Sequence, residues 1–184
     1  METIDRCRKG LEEIFEENKF TVFLCGPSST DLSQKGALLR TKIKEALELE
    51  KFEVVLGEDA GLENLRTLFG ADAQTNEKFF IQNHTNAVIL IASSVGTYCE
   101  LGLFSDHVIN NCNRKVDFIL ILDEKHKNDR SYLNYGPAIL VGNHGCVHYA
   151  DLDSLDPEDI INRLINRRAN FFMDGRGRPP GKKK

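Results

Sequence analysis

The chain has 184 residues, of which 41% are hydrophobic and 28% charged, and its net charge is -4 at pH 7. This length suits one well-buried domain and is short for two. No apolar run approaches the roughly 20 residues of a membrane span, and the first residues mix charges into every turn, unlike a secretion signal. We therefore expect a cytoplasmic protein with no membrane partner.

Short apolar runs alternate with amphipathic segments along the chain. Runs rich in strand formers predict β-strands at 20–25, 51–57, 86–92, 116–123 and 146–152. Apolar residues at helical spacing predict helices at about 3–18, 34–49, 75–85, 97–110 and 157–173. The segment 57–74 is long for a connection and predicts a lid or a short helix. The alternation predicts a three-layer α/β fold, an open, mostly parallel five-stranded sheet with helices on both faces, flavodoxin-like or Rossmann-like.

The cysteines give no sign of a disulfide framework or a metal site. They are odd in number, scattered, and without a C-x-x-C pair. His144, Cys146 and His148 would share one strand face, but no fourth ligand is evident. We expect reduced thiols, no metal and no cofactor.

The loops that follow the strands are the expected ligand site, because open parallel sheets bind ligands beyond the carboxyl ends of their strands. The third of these loops, "SSVGT", leads into a predicted helix that begins near Thr97 and carries Glu100 in its first turn. Unpaired backbone N–H groups and the helix dipole favour a negative charge there. We therefore expect an ionised Glu100 at the ligand edge of the sheet.

Glu100 has two compatible roles. A fixed carboxylate beside Gly96, whose missing side chain lets a ligand approach closely, suits attack on C1 of a sugar or stabilisation of an oxocarbenium ion. Thr97 and Glu100 also match a T-x-x-E capping box, which stabilises a helix start by about 0.5–2 kcal/mol. The spacing by itself favours the capping role.

Three stretches carry a family resemblance: "FLCGP" at 23–27, "NAVILIASSVGTYCELGLF" at 86–104 and "VDFILILD" at 116–123. They resemble the nucleoside 2-deoxyribosyltransferase family and the wider group of nucleoside-hydrolase-like and TIR-like domains. Many of these are bacterial antiphage effectors, some encoded with retrons. The resemblance implies that Gly26 and Pro27 help to hold the sugar or phosphate and that the signature glutamate is the nucleophile. The signature positions here are Gly96, Thr97, Glu100, Leu101 and Gly102.

One departure from the family bears on the reaction. The family usually has an aspartate shortly before the glycine–threonine pair, where this chain has Ser94 and Val95. Without it the base has less help with protonation, so we expect hydrolysis in preference to base exchange. We interpret the chain as a toxic antiphage hydrolase that cleaves the N-glycosidic bond of NAD or a nucleotide. The alternatives are a non-catalytic nucleotide-sensing or nucleic-acid-binding module, a scaffold, and a nucleoside 2-deoxyribosyltransferase.

Further polar residues follow the predicted strands. The hydroxyls of Ser28, Ser29 and Ser94 are candidates for binding ribose or phosphate. Glu58 and Asp59 can supply a general acid or an acceptor for a ribose hydroxyl, or can lie in a solvated loop. His107 is seven residues beyond Glu100, about 10 Å along a helix, and so favours a core or partner role. Asn86 stands where the family commonly has an aspartate, at a position open to a structural role.

The last eleven residues, "DGRGRPPGKKK", predict a separate unit. This tail carries +4 and the body, residues 1–173, carries -8, which together give the net -4. Its "RGRP" resembles an AT-hook, whose arginines enter the narrow minor groove of A·T-rich DNA. We expect a disordered tail that binds DNA or a DNA–RNA partner, the alternative being a solubilising end, and a homo-oligomer or larger defence complex. The binding candidates are Arg176, Arg178, Lys182, Lys183 and Lys184.

Overall fold

The computed structural model describes residues 4–6, 9–10, 13, 19–28, 30–58, 62, 67, 70, 72–112 and 115–173. Its strands form one parallel sheet in the order β2-β1-β3-β4-β5. They are β1 Thr21–Cys25, β2 Glu53–Leu56, β3 Ala87–Ala92, β4 Asp117–Asp123 and β5 Cys146–Ala150. The predicted α/β fold is confirmed, and this strand order is that of flavodoxin-like sheets.

The α-helices with described bounds are α1 Ala37–Leu49, α2 Ala73–His84, α3 Val95–Asp106, α4 Ile139–His144 and α5 Glu158–Met173. A π-helical turn continues α3, another precedes α4, and a 3-10 turn follows β4; they span His107–Asn111, Asn134–Ala138 and Glu124–His126. Most of the predicted helix at 3–18, most of the segment 57–74 and the tail at 174–184 lie outside the described residues. No helix in the described part is long and apolar enough to cross a membrane.

Alternate side chains of the strands bury two separate cores. On one face, residues such as Leu24 and Ile89 pack against Ile43 of α1 and Leu164 of α5. On the other face, Phe23, Leu90 and Leu120 pack against α2, α3 and α4. The uniformly apolar sequence of β3 follows from this arrangement, because both sides of a central parallel strand are covered.

Asn86 joins three strands where they begin. Its side-chain Oδ1 accepts a hydrogen bond of 2.9 Å from the backbone N–H of Thr21. Its own N–H donates to the Thr21 carbonyl, and its carbonyl accepts from the N–H of Asp117. These bonds connect the starts of β1, β3 and β4, so the structural role at this position is confirmed.

The helical segment at 134–144 was not predicted from the sequence. Its "GPAILVGNHG" contains glycines and a proline, which indicate a turn. In the structure Pro137 lies inside the π-helical turn, and Ala138 and Val141 are buried in the second core. His144 therefore ends α4, and the expectation that it shares a strand face with Cys146 and His148 is wrong.

Candidate active site

The crevice between the carboxyl ends of β1 and β3 is the candidate site, because the chain connections leave these two neighbouring strands in opposite directions. The Ser93 hydroxyl, just after β3, donates a 2.8 Å hydrogen bond to the Lys35 carbonyl in the loop before α1. The Lys35 ammonium lies 3.0 Å from Asp123 and 3.4 Å from Asp151. The loop after β1 is thereby fixed over the carboxyl edge of the sheet.

The start of α3 differs from the prediction. Ser94 is the N-cap: its hydroxyl accepts from the Thr97 N–H at 3.4 Å, and Thr97 Oγ1 accepts from the Ser94 N–H at 2.8 Å. The predicted capping box of Thr97 and Glu100 is therefore wrong, because the cap lies three residues earlier. Glu100 falls in the second turn and has no capping role. Binding of substrate by Ser94 or Thr97 stays a prediction.

Glu100 is half-buried, and among the described residues its Oε2 is a buried oxygen without a hydrogen-bond partner. Burial raises the pKa of its carboxyl to about 7; the neighbouring Glu77 carboxyl adds to this and the Arg40 guanidinium opposes it. The expectation of a carboxylate kept ionised by the helix start is wrong, because Glu100 lies beyond the first turn and in a poorly solvated position. Near neutral pH its protonated and ionised forms are both populated.

Glu77 is the site residue that the sequence analysis missed. It lies on α2, whose first turn is capped by Asp72 accepting from the Thr75 N–H at 2.8 Å. Its Oε1 lies over the end of β2, since a Cβ added at Gly57 would be 3.2 Å from it. Burial raises the pKa of Glu77 to about 7. The available signal was its spacing of four residues from the buried Ile81, which places both on one helix face.

Arg40 is a buried cation, 2% exposed, that holds the edge of the site together. Its two terminal nitrogens donate to the two Glu58 carboxylate oxygens at 2.6 and 2.7 Å. They also donate to the carbonyls of Pro27 and Leu24. Burial favours a raised pKa for Glu58, but the hydrogen bonds and charge of Arg40 prevail and lower it. An ionised Glu58 suits the predicted acceptor role and not that of a general acid.

The buried thiol of Cys25 lies close enough to these charged side chains for their charges to shift its pKa. It ends β1, is buried, and has its pKa raised by burial and then by the Glu100 and Glu77 carboxyls. A thiol of raised pKa is a poor nucleophile at neutral pH. At neutral pH the thiol is therefore less suited than the neighbouring carboxyls to act as a nucleophile.

The predicted glycines have different surroundings. A Cβ at Gly26 would lie 3.2 Å from Ile91 Cβ and 3.3 Å from Arg40 Cδ, so packing within the fold restricts this position to a very small residue. A Cβ at Gly96 would meet only Ser94 Oγ, at 4.0 Å, so space around Gly96 remains for a ligand.

The other predicted binding residues are near the site or outside the described residues. Pro27 is buried, and Ser28 Oγ lies 2.9 Å from Thr30 Oγ1. Ser29 and Asp59 lie outside the described residues.

His107 and His148 contact other parts of the fold. His107 is buried and donates from Nε2 to the Lys78 carbonyl at 3.0 Å, and burial lowers its pKa, which confirms the predicted core role. His148 Nε2 lies 3.3 Å from Cys146 Sγ. Within the described ranges, no group of three histidine, cysteine, aspartate or glutamate side chains is arranged to hold a metal.

Comparison with known proteins identifies the family of the chain. The family model described as STM3845 retron effector protein matches residues 35–173, a range that includes Arg40, Glu58, Glu77 and Glu100. A retron Ec86 protein of Escherichia coli, whose name proposes ribosyltransferase activity and DNA binding, is 28% identical over 123 residues. That match covers 67% of this chain but 38% of the relative, so the chain spans little more than a third of that protein. Because the family model covers most of the sequence, the chain belongs to the STM3845 retron effector family.

Proposed function

We propose that this retron effector is a hydrolase that cleaves the N-glycosidic bond of NAD or a nucleotide, as a toxic agent of antiphage defence. The observation that carries the proposal is the buried Oε2 of Glu100, which has no hydrogen-bond partner among the described residues. Leaving such an atom unpaired costs about 1–3 kcal/mol, a cost that a bound substrate removes. The name of the Ec86 relative supports chemistry at a ribose.

The ionised Glu100 is suited to act at C1 of the sugar. As the bond from C1 to the base nitrogen breaks, its electron pair leaves with the base, and Glu100 either bonds to C1 or balances the developing cation. Water then adds to C1 and passes its proton to the Glu77 carboxylate or to solvent, which releases ADP-ribose from NAD or the sugar phosphate from a nucleotide and restores the Glu100 carboxylate. Glu58, kept ionised by Arg40, is suited to accept a hydrogen bond from a ribose hydroxyl.

Glu77 is suited to donate the proton that the leaving base needs. Two nearby carboxyls of raised pKa do not readily ionise together, so the pair binds about one proton near neutral pH. The Arg40 charge lowers the pKa of Glu100, whereas the Glu77 and Glu58 carboxyls raise it. We propose that the reacting state is the one with ionised Glu100 beside protonated Glu77, a nucleophile and an acid.

The test is release of free base from NAD and from purine and pyrimidine nucleotides, measured by chromatography. Glu100→Gln should lower turnover by at least about 10²-fold. The matched control Glu48→Gln changes an exposed glutamate of α1 and should leave turnover unchanged. Full activity of folded Glu100→Gln would refute the assignment. No release of base from any substrate by folded wild-type protein would favour the nucleotide-sensing module.

The chemistry of the leaving group tests Glu77 separately. Nicotinamide leaves NAD as a neutral molecule and needs no proton, whereas adenine leaves far more easily when protonated. Glu77→Gln should therefore slow the cleavage of adenine nucleotides more than the release of nicotinamide. Equal slowing of both would contradict the role of acid.

Base exchange is the second candidate function, and Glu77 is the observation that favours it. The missing aspartate near Ser94 argues against exchange, but Glu77 offers another acid for an incoming or departing base. Reaction in the presence of excess free adenine or cytosine separates the two functions. A new nucleotide that carries the added base, in place of the sugar phosphate, would establish transfer.

The basic tail is proposed to bind nucleic acid. Support comes from its charge of +4 beside a body of -8 and from the name of the Ec86 relative, which proposes DNA binding. Neutralising four or five phosphates implies a slope of log affinity against log salt near about -4. Deleting residues 174–184 should remove most of the binding, and equal binding by the shortened protein would refute the proposal. Arg176→Lys with Arg178→Lys should reduce preference for A·T-rich duplex more than total affinity.

A further inference from the structure

A cavity of about 250 Å³ lies at the amino-terminal edge of the sheet, opposite the edge that carries Glu100. Its walls come from the chain just before β1, the starts of β3 and β4, the π-helical turn after α3, and the last turns of α5. The lining residues that matter here are Phe20, Lys115, Asp117, Arg167, Asn170 and Phe171. None of them belongs to the candidate active site.

One part of the cavity lining is aromatic and another is cationic. Phe20 and Phe171 meet edge to face with ring centroids 5.7 Å apart. The buried Asp117 carboxylate accepts two hydrogen bonds from Arg163, at 2.9 and 2.7 Å, which balance its charge. Arg167 lies 3.2 Å from the same carboxylate. The charges of Arg167 and Lys115 therefore remain in excess at this edge of an otherwise acidic body.

The size and lining of the cavity select its ligand. Pockets for drug-sized molecules measure about 300–1,000 Å³, so this cavity suits one ring system and its neighbouring phosphate and is too small for a dinucleotide. The half-buried ring of Phe171 is the one that can contact an unpaired base, since Phe20 is 3% exposed and lies behind it; amides such as that of Asn170 pair with base edges, and cations bind phosphates. A nucleobase with its phosphate satisfies all three groups.

The position of α5 indicates where this base comes from. The helix ends at Met173, two residues beyond Phe171, and the basic tail begins at the next residue. We propose that the cavity receives one unstacked base of a single-stranded nucleic acid, with its phosphate on Arg167 and Lys115. This inference rests on the proposed binding of nucleic acid by the tail.

The experiment measures fluorescence anisotropy of a labelled 12-nucleotide single strand and of the matching duplex with the full chain. Arg167→Gln and Asn170→Ala together should weaken binding of the single strand about tenfold and reduce its salt slope by about one, while duplex binding through the tail changes less than about twofold. Phe171→Leu, which keeps apolar volume but removes the ring, should weaken single-strand binding alone. The matched control Lys127→Gln removes an exposed charge at the opposite edge and should change neither.

Each failure is distinguishable. If the double variant keeps its melting temperature and binds the single strand as tightly as the wild type, the proposal that the cavity binds a base is refuted, while the proposal for the tail stands. If deletion of residues 174–184 leaves all binding intact, the proposal that the tail binds nucleic acid is refuted. The argument that the ligand of the cavity is a single-stranded nucleic acid is then refuted as well. If the free nucleotide dAMP competes at the same concentration as the oligonucleotide, the cavity binds a mononucleotide and the assignment to a strand is overturned.

Discussion

Glu100→Gln should stabilise the protein at alkaline pH and not at acid pH. The glutamine keeps the size and polarity of the side chain but can never carry the charge that the site solvates poorly. Burial raises the pKa of Glu100 from 4.5 to about 7. Between these values the folded state holds a proton that the unfolded state has lost, so the stability of the wild type falls as the pH rises through this range. The Glu100→Gln variant does not lose stability in this pH range, because its side chain does not titrate.

The magnitude follows from the pKa change. Each pKa unit is worth about 1.4 kcal/mol, so the move from 4.5 to about 7 corresponds to on the order of 3 kcal/mol above pH 7. Residual contact with solvent and sharing of a proton with Glu77 reduce the expected gain to about 1–2 kcal/mol. For a chain of this length, that is a rise in melting temperature of roughly 3–6 °C.

The assay is thermal unfolding followed by circular dichroism at pH 5, 6, 7 and 8 and constant ionic strength. The difference in melting temperature between Glu100→Gln and wild type should be near zero at pH 5 and grow with pH. Glu48→Gln, on the exposed face of α1, should follow the wild type throughout. The same difference in melting temperature at every pH, or a variant less stable than the wild type at pH 8, would refute the inference that the Glu100 carboxyl is poorly solvated.

Three further outcomes are expected. Gly96→Ala and Gly102→Ala should each stabilise α3 by about 0.5–1 kcal/mol in urea unfolding, because neither added Cβ meets a close neighbour. Only Gly96→Ala should raise KM, because only this Cβ would occupy space proposed for the ligand. Equal KM values for the two variants would place the ligand elsewhere. Arg40→Met should cost about 1–3 kcal/mol, because the Pro27 and Leu24 carbonyls and the half-exposed Glu58 carboxylate lose their donor. Adding Glu58→Gln should recover part of that cost, whereas additive losses in a double-mutant cycle would contradict a coupled pair. Turnover of adenine nucleotides should show a bell-shaped pH profile, and Glu77→Gln should abolish its alkaline limb; an unchanged profile would exclude Glu77 as the acid.

The strands were predictable from sequence, and the site was predictable only in part. Runs such as "AVILIA" are apolar throughout because helices cover both sides of the sheet. The start of α3 was misplaced because Thr97 and Glu100 fit one capping box while Ser94 and Thr97 form another. Arg40 has the spacing of a buried position, three and seven residues before Ile43 and Leu47, but a guanidinium in a helix is normally read as solvent-facing.

The pKa of Glu77 could not be read from the sequence. Its value depends on burial produced by the packing of α2 against the sheet, which local spacing does not measure. The same holds for Glu100, whose protonation reflects neighbours that are distant along the chain.

The four charged groups of the site come from positions 40, 58, 77 and 100, which lie in three successive βα segments of the chain. A ribosome therefore releases them one after another, with the proposed nucleophile last. β3, which leads directly into α3, completes its hydrogen bonds only when β4 has also been made, by residue 123. No shorter nascent chain therefore contains both the proposed nucleophile and the completed sheet that holds it in position, so the proposed toxic activity would begin only after β4 has been synthesised.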